Sequence, residues 1–452
     1  MFIIRNIVKS FKFAVSFLGA IPGALIHCAL VTIIASIVFI SIHLNKLKER
    51  LSSRLKIFVL LCVGALCYLT YAVINDYLVI SELSTGIEEV NEDYETGISP
   101  KQVTRDQRTE YRLFRNSLLL AKNIQKHYLY KGGVVERDSK MNPEGLCDSL
   151  LFTSLRYVSL VKLGLKENYQ KAFDDLLRFE QPPLSGRWIR HPDCPNHQLS
   201  RDMFLGLLLA LNENPSKKEA RKIYLRTLKR VEKNNGWISR PRFSVGLLTG
   251  SMRENMRLLA IKLDIDPEAH DVTRYSFSER DFTLPITPRG FQLHLHGLGL
   301  LLEESLRKEL SVRKKVKIRS ITTSAAWFLD SLFREKRNLG PIFEGYRYKV
   351  LTKRLYEKDI NNYFFEFLFK HSFDLPYLKT SLMAKDYLSF LPSRARIHSS
   401  CDRNADYLWQ RDSRQWDKTE VGFCSRTYSG VDVLFMNALY FEALTKDTEN
   451  FN

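Results

Sequence analysis

Several standard signatures are missing from this 452-residue chain. It has no glycine-rich phosphate loop, no Gly-x-Ser-x-Gly elbow and no GxGxxG before a strand. Their absence argues against nucleotide-driven and α/β-hydrolase chemistry. It has no zinc-finger spacing and no His-Glu-x-x-His helix, so no metal and no other cofactor is expected. No Lys/Arg block with interleaved aromatics resembles a nucleic-acid module, and nucleic acid is not an expected partner. Charge itself is absent from one long stretch. Between Phe13 and Leu44 there is no Asp, Glu, Lys or Arg.

That stretch contains Ile21–Leu44, almost wholly apolar, and Ile57–Asn75 is a second such run. About 20 apolar residues cross ~30 Å of hydrocarbon, so the lipid bilayer is an expected partner. Two transmembrane helices, about 21–44 and 57–79, would make residues 1–80 a membrane anchor. Met1–Leu18, with Arg5, Lys9 and Lys12, suits an amphipathic helix on the membrane surface. The loop 45–56 carries five Lys/Arg, and the segment after the second run is acidic. The positive-inside rule places that loop in the cytoplasm and both termini outside. The expectation is a multi-pass protein of a bacterial inner membrane with its soluble domain outside the cytoplasm.

Residues 81–104 are acidic and turn-rich and read as a linker, leaving 105–452 as the soluble domain. The chain carries +18 overall, of which +12 falls after residue 80. A basic domain favours an anionic partner such as an acidic glycan or an anionic lipid surface. Its four cysteines are Cys147, Cys194, Cys401 and Cys424. An oxidising compartment permits two disulfides among them. Cys147–Cys194 and Cys401–Cys424 are the preferred pairs of three pairings. In a cytoplasmic domain all four would be small buried residues.

From about Thr104 the pattern is helical. Four helices, Leu146–Leu163, Met203–Leu211, Gly246–Leu263 and Phe291–Leu302, are apolar on every side and therefore buried. Each is preceded by a polar or charged motif. Amphipathic segments such as Lys166–Glu180 and Glu219–Glu232 alternate with them. The buried helices recur every 44 to 57 residues, which fits stacked helical hairpins. Ile321–Phe333, Ser381–Leu391 and Val431–Leu444 extend the series. The fold class is all-α, closed into an (α/α) toroid or left open as a solenoid. Ala269–Gly290 and Asn338–Val350 break the pattern and read as hairpins or loops over a cavity mouth.

Asn142–Leu163 and Ser200–Leu211 resemble inner-helix starts of the α/α-toroid carbohydrate-active enzymes, glycoside hydrolases and polysaccharide lyases among them. The resemblance implies a polysaccharide substrate lying across the toroid mouth. Glycosidic hydrolysis needs two carboxyl groups. The candidates at helix starts are Glu144, Asp148, Asp202 and Glu254, with Glu144 and Asp148 four residues apart on one helical face. A lyase needs groups that neutralise a uronate and remove its α-proton. Arg190, His191, Arg201, Arg253, His294 and Tyr407 suit that task. Trp188 and Trp409 suit sugar stacking, although tryptophan is as often a core residue.

Tyr407, Trp409 and Arg411 lie in the densest charged and aromatic stretch, 402–412, which a closed ring would return beside Glu144 and Asp148. His191-x-x-Cys194-x-x-His197 has short ligand spacing but reads better as a polar loop. The leading expectation is a membrane-anchored glycan-processing enzyme acting on an envelope or extracellular polysaccharide, acidic ones included. The alternatives are a non-enzymatic membrane-anchored binding or sensor protein and a membrane-disrupting effector.

Overall fold

The computed structural model describes residues 107–138, 140–239, 246–274, 280–288, 291–312, 340–360, 362–372, 377–390, 398–399 and 426–449. They belong to one compact unit, Lys101–Asn452. Both expected transmembrane runs and Ile321–Phe333 lie outside the described residues. So do Cys401, Cys424, Tyr407, Trp409 and Arg411.

The described unit is mainly helical. In chain order its helices are α1 (Gln107–His127), α2 (Ser149–Lys162), α3 (Lys166–Leu177), α4 (Arg201–Asn212), α5 (Lys217–Lys233) and α6 (Gly250–Lys262). There follow α7 (Asp271–Arg274), α8 (Arg280–Ile286), α9 (Phe291–Val312), α10 (Gly340–Lys358), α11 (Tyr363–His371), α12 (Tyr377–Phe390) and α13 (Val431–Glu449). Short strands are interposed: β1 (Leu129–Tyr130), β2 (Gly133–Val134), β3 (Glu136–Asp138), β4 (Pro143–Glu144), β5 (His398–Ser399) and β6 (Arg426–Tyr428). β1 and β2 form a hairpin, and the other four form an antiparallel sheet in the order β4-β3-β6-β5.

Local chemistry sets the ends of these helices. Ser216 caps α5 by accepting from the Glu219 amide, Thr249 caps α6 through the Met252 amide, and Asn362 caps α11. Gly164 stops α2 at a φ of 69°, and the Leu165 amide reaches back to the Leu160 carbonyl at 3.0 Å.

Three expectations are corrected. Of the stretch 338–350 expected as a hairpin or loop, residues 340–350 are helical: α10 begins at Gly340, with Pro341 in its first turn, where a missing amide proton costs nothing. Residues 269–290 hold the short helices α7 and α8. The α-helix expected from Leu146 starts at Ser149, behind a 3-10 turn over Leu146–Asp148.

Packing follows the apolar helices. The helices α2 and α4 are buried on nearly all sides, α3 and α5 on one. One hydrophobic cluster runs from α1 through α13. The C-terminal ends of the largely buried helices α2, α4, α6 and α9 are linked in series. Lys162 at the end of α2 pairs with Glu213 just past α4 at 3.2 Å, and Lys262 at the end of α6 pairs with Glu309 of α9 at 2.7 Å. Lys262 also donates to the Asn212 carbonyl of α4 at 2.7 Å. The ring of His294 in α9 meets Phe365 of α11, whose neighbour Phe364 meets Phe435 of α13. Lys162 pairs with Glu442 of α13 at 2.6 Å, across 280 residues of chain.

Candidate functional site

The start of α2 is built by the small sheet. β3 and β4 pair Glu136 with Glu144, and β3 also pairs with β6, which joins residues near 137 to residues near 427. Gly145 then turns the chain at a φ of 60°. The Glu136 carboxyl lies 3.2 Å from where a Cβ on Gly145 would stand. The left-handed conformation favours glycine, and any side chain there would have to nudge the Glu136 carboxyl aside. Next comes the 3-10 turn bearing Cys147 and Asp148. The β1-β2 hairpin is sewn to α2: the Val134 amide donates to Thr153 Oγ1 at 3.0 Å, and Ser149 Oγ donates to the Val134 carbonyl at 2.7 Å.

The chain before α4 lies against this start. Cys147 and Cys194 are joined by a disulfide across 47 residues, with Cα atoms 5.7 Å apart. Residues 191–197 form two tight turns, with the Cys194 amide on the His191 carbonyl and the His197 amide on the Cys194 carbonyl. His191 is fully buried. Its Nε2 faces the Tyr130 carbonyl at 3.1 Å and its Nδ1 accepts from the Asp193 amide at 3.1 Å. That pattern defines a neutral imidazole, and burial lowers its pKa. Lys131 and Asp193 form an ion pair at 2.6 Å over the same turn.

Arg190 is the hinge of the arrangement. Its Nη1 donates to the Cys147 carbonyl at 3.0 Å and to Asp148 Oδ1 at 3.1 Å, and its Nε donates to the Gln198 carbonyl. The Asp148 side chain remains half exposed. Asp202, in the first turn of α4, is buried. Burial raises its pKa, and the negative charge of Asp148 raises it further. A hydrogen bond from the Ser200 side chain and the positive charge of Arg190 oppose the rise. The Arg190 guanidinium thus holds the half-exposed Asp148 directly and acts on the buried Asp202 through its charge.

The remaining candidates are dispersed. Glu144 is on β4, not on a helix, so it shares no helical face with Asp148. Arg201 donates from Nε to the Leu247 carbonyl at 3.0 Å, tying the start of α4 to that of α6. The Arg253 guanidinium covers Gly236. Glu254 is buried in a separate network, 3.6 Å from Arg307, which also pairs with Glu303 at 2.9 Å. Trp188 is a core residue whose indole N–H donates to Thr227 Oγ1 at 2.9 Å. His294 is buried against Phe365, and desolvation lowers its pKa to about 3. The ligand spacing 191/194/197 is spent on the disulfide and on the neutral His191.

Four contributors escaped the sequence reading: Glu136, Ser149, Thr153 and Gln198. Glu136 shares its stretch with Asp138 and Glu144, so its residue type does not single it out. The others act through bonds between a side chain and a backbone group 8 to 19 residues apart. No family model matches the chain, and no curated protein or solved structure matches it.

Proposed function

We propose that the helical unit is an (α/α) toroid and that the mouth at Asp148 and Asp202 hydrolyses glycosidic bonds in an extracellular polysaccharide. The toroid reading is supported by the succession α2, α4, α6, α9, α11, α13 and by the Lys162–Glu442 pair, which returns the last inner helix to the first.

The observation that carries the enzymatic reading is the Asp148–Arg190–Asp202 group. Glycoside hydrolysis needs one carboxyl that holds a proton and one that does not. A carboxyl whose surroundings favour the protonated form suits the first role. Asp202, with its raised pKa, is the proton donor to the leaving oxygen. Asp148, half exposed and held by Arg190, is the base or nucleophile. A lyase is the weaker reading because His191 has both ring nitrogens engaged and His294 is sealed in the core. The Cys147–Cys194 disulfide favours an oxidising compartment. In this proposal residues 1–80 anchor the unit to the membrane through two spans, with the unit outside the cytoplasm.

The test is incubation of the full chain, in detergent, with a panel of neutral and acidic polysaccharides. A hydrolase releases reducing ends, whereas a lyase leaves unsaturated uronate ends. Asp202→Asn and Asp148→Asn should each cost roughly a hundredfold or more in rate. Wild-type rates in both variants, or no cleavage of any glycan, would overturn the proposal.

A further inference from the structure

Helix α5 carries eight Lys/Arg against two Glu. Its inner side is apolar, with Ile223, Tyr224, Leu228 and Val231 buried. Three of its cations are engaged by neighbours: Lys217 by Asp264, Arg221 by the Asp264 carbonyl, and Arg226 by Glu180. The other five, Lys218, Lys222, Lys229, Arg230 and Lys233, form no ion pair among the described residues. Of the two acids, Glu232 is bound to His270 at 3.1 Å. Four exposed cations, Lys218, Lys222, Lys229 and Lys233, and the half-buried Arg230 are therefore left beside a single acid, Glu219.

Their spacing is ordered. Lys218, Lys222, Lys229 and Lys233 follow one another at intervals of four, seven and four residues, which keeps them on one helical face. At ~1.5 Å per residue they span about 22 Å. The row ends at a defined place. Beyond Lys233 the chain turns through Gly236, whose carbonyl accepts from the Leu248 amide at 3.1 Å, and Trp237 bridges to Leu247. The Leu247 carbonyl in turn holds Arg201, the neighbour of Asp202. The C-terminal end of α5 thus lies at the rim where α4 and α6 begin.

We propose that the outer face of α5 is a docking track for an acidic glycan chain, leading an extended polyuronate to the rim beside Asp202. The polymer's identity rests on the glycan reading above, whereas the cationic row does not. A bilayer is a poorer occupant, because a surface-lying helix inserts apolar side chains beside its cations, and Leu225, half-buried, is the sole large apolar side chain there. Single-stranded nucleic acid is poorer too, since the row offers no aromatic on which bases stack.

The test measures binding of the full chain in uncharged detergent at about 0.15 M salt, on an Asp202→Asn background so that polymer is not consumed. The probes are long polygalacturonate and its trisaccharide. Substituting Lys218, Lys222, Lys229 and Lys233 by Gln together should weaken binding of the long polymer by about tenfold or more and flatten its salt dependence. Trisaccharide binding should not change. A control that neutralises Lys122, Lys126, Lys166 and Lys171 removes the same charge from other exposed positions and should leave the affinity near wild type.

Equal losses in both variants would reduce the effect to net charge and overturn the proposal. So would an unchanged affinity in the row variant, or a row that is required for phosphatidylglycerol vesicles or single-stranded DNA but not for polygalacturonate. The two readings fail separately. Row-dependent binding together with undiminished cleavage in Asp202→Asn sinks the catalytic assignment alone, and cleavage lost without row-dependent binding sinks the track alone.

Discussion

Arg190 Nη1 stands 3.1 Å from Asp148 Oδ1 while also holding the Cys147 carbonyl at 3.0 Å. One guanidinium therefore fixes the backbone of the α2 start and presents the carboxylate beside it. Lysine cannot span three acceptors with one ammonium, so Arg190→Lys is not a conservative change here. Arg190→Ala removes the cation that opposes the raised pKa of Asp202. Its proton affinity should rise further, moving the alkaline limb of the pH–rate profile upward, with a rate loss of about a hundredfold on any glycan the protein cleaves. A drop in rate with an unmoved pH profile would show that Arg190 supports the fold but does not tune the pair.

The disulfide gives a second prediction. Closing a loop across 47 residues removes about 4 kcal/mol of unfolded-state entropy in the chain-entropy model. Cys147→Ser/Cys194→Ser, or reduction of the wild type, should lower the denaturant midpoint accordingly. Loss should concentrate at residues 188–199, read as faster amide exchange there than in α2 or α4. Uniform exchange across the unit would mean that the bridge does not anchor this loop.

Much of the helical scaffold was legible because burial writes itself as composition. Met203–Leu211 lies within α4 and Val431–Leu444 within α13. Among the candidate residues chosen as types at helix starts, Arg190 contacts Asp148, and both act on Asp202 through their charge. Geometry was less legible. Asn142–Asp148 looked like the start of a helix, but pairing with β3 and the left-handed Gly145 hold it out of one. Trp188 and His294 looked like mouth residues because sequence position marks chain order, not which way a side chain points. Their partners, Thr227 and Phe365, lie 39 and 71 positions away.

Two buried histidines set a pH dependence of stability. The folded pKa of His294 is depressed to about 3 from 6.5, and that of His191 is also lowered. The unfolded chain therefore binds more protons below pH 6.5, and stability falls as pH drops from 6.5 toward 3. His294 contributes up to about 1.4 kcal/mol per pH unit in that window, and His191 acts in the same direction. Urea midpoints should decline from pH 7 to pH 5 more steeply in the wild type than in His294→Leu. Parallel curves for the two proteins would mean that His294 does not carry the dependence.

Trp188 separates a core role from a sugar-stacking role. Its N–H reaches Thr227 Oγ1, and that hydroxyl also donates to the Ile223 carbonyl. Trp188→Phe keeps most of the apolar volume and deletes one hydrogen bond, so it should cost about 1 kcal/mol by chemical denaturation. Glycan affinity should be unchanged. An affinity loss of tenfold with little change in stability would place the ring at a sugar after all.

Glycine at 299 is required by a charge network. The Arg280 guanidinium lies where a Cβ on Gly299 would stand, and Arg280 pairs with buried Glu303. Gly299→Ala must displace that guanidinium, at a cost of about 1–3 kcal/mol typical of overpacking. Arg280→Ala leaves the Glu303 carboxylate with a weakened set of partners and should cost more, about 3–5 kcal/mol. Once Arg280 is truncated, the three atoms nearest a methyl group at 299 are gone. The double variant should therefore be no less stable than Arg280→Ala alone, a strong departure from additivity between contacting sites. Urea melts of the four proteins test this, and additive losses would mean that the two residues do not share the space the structure assigns to them.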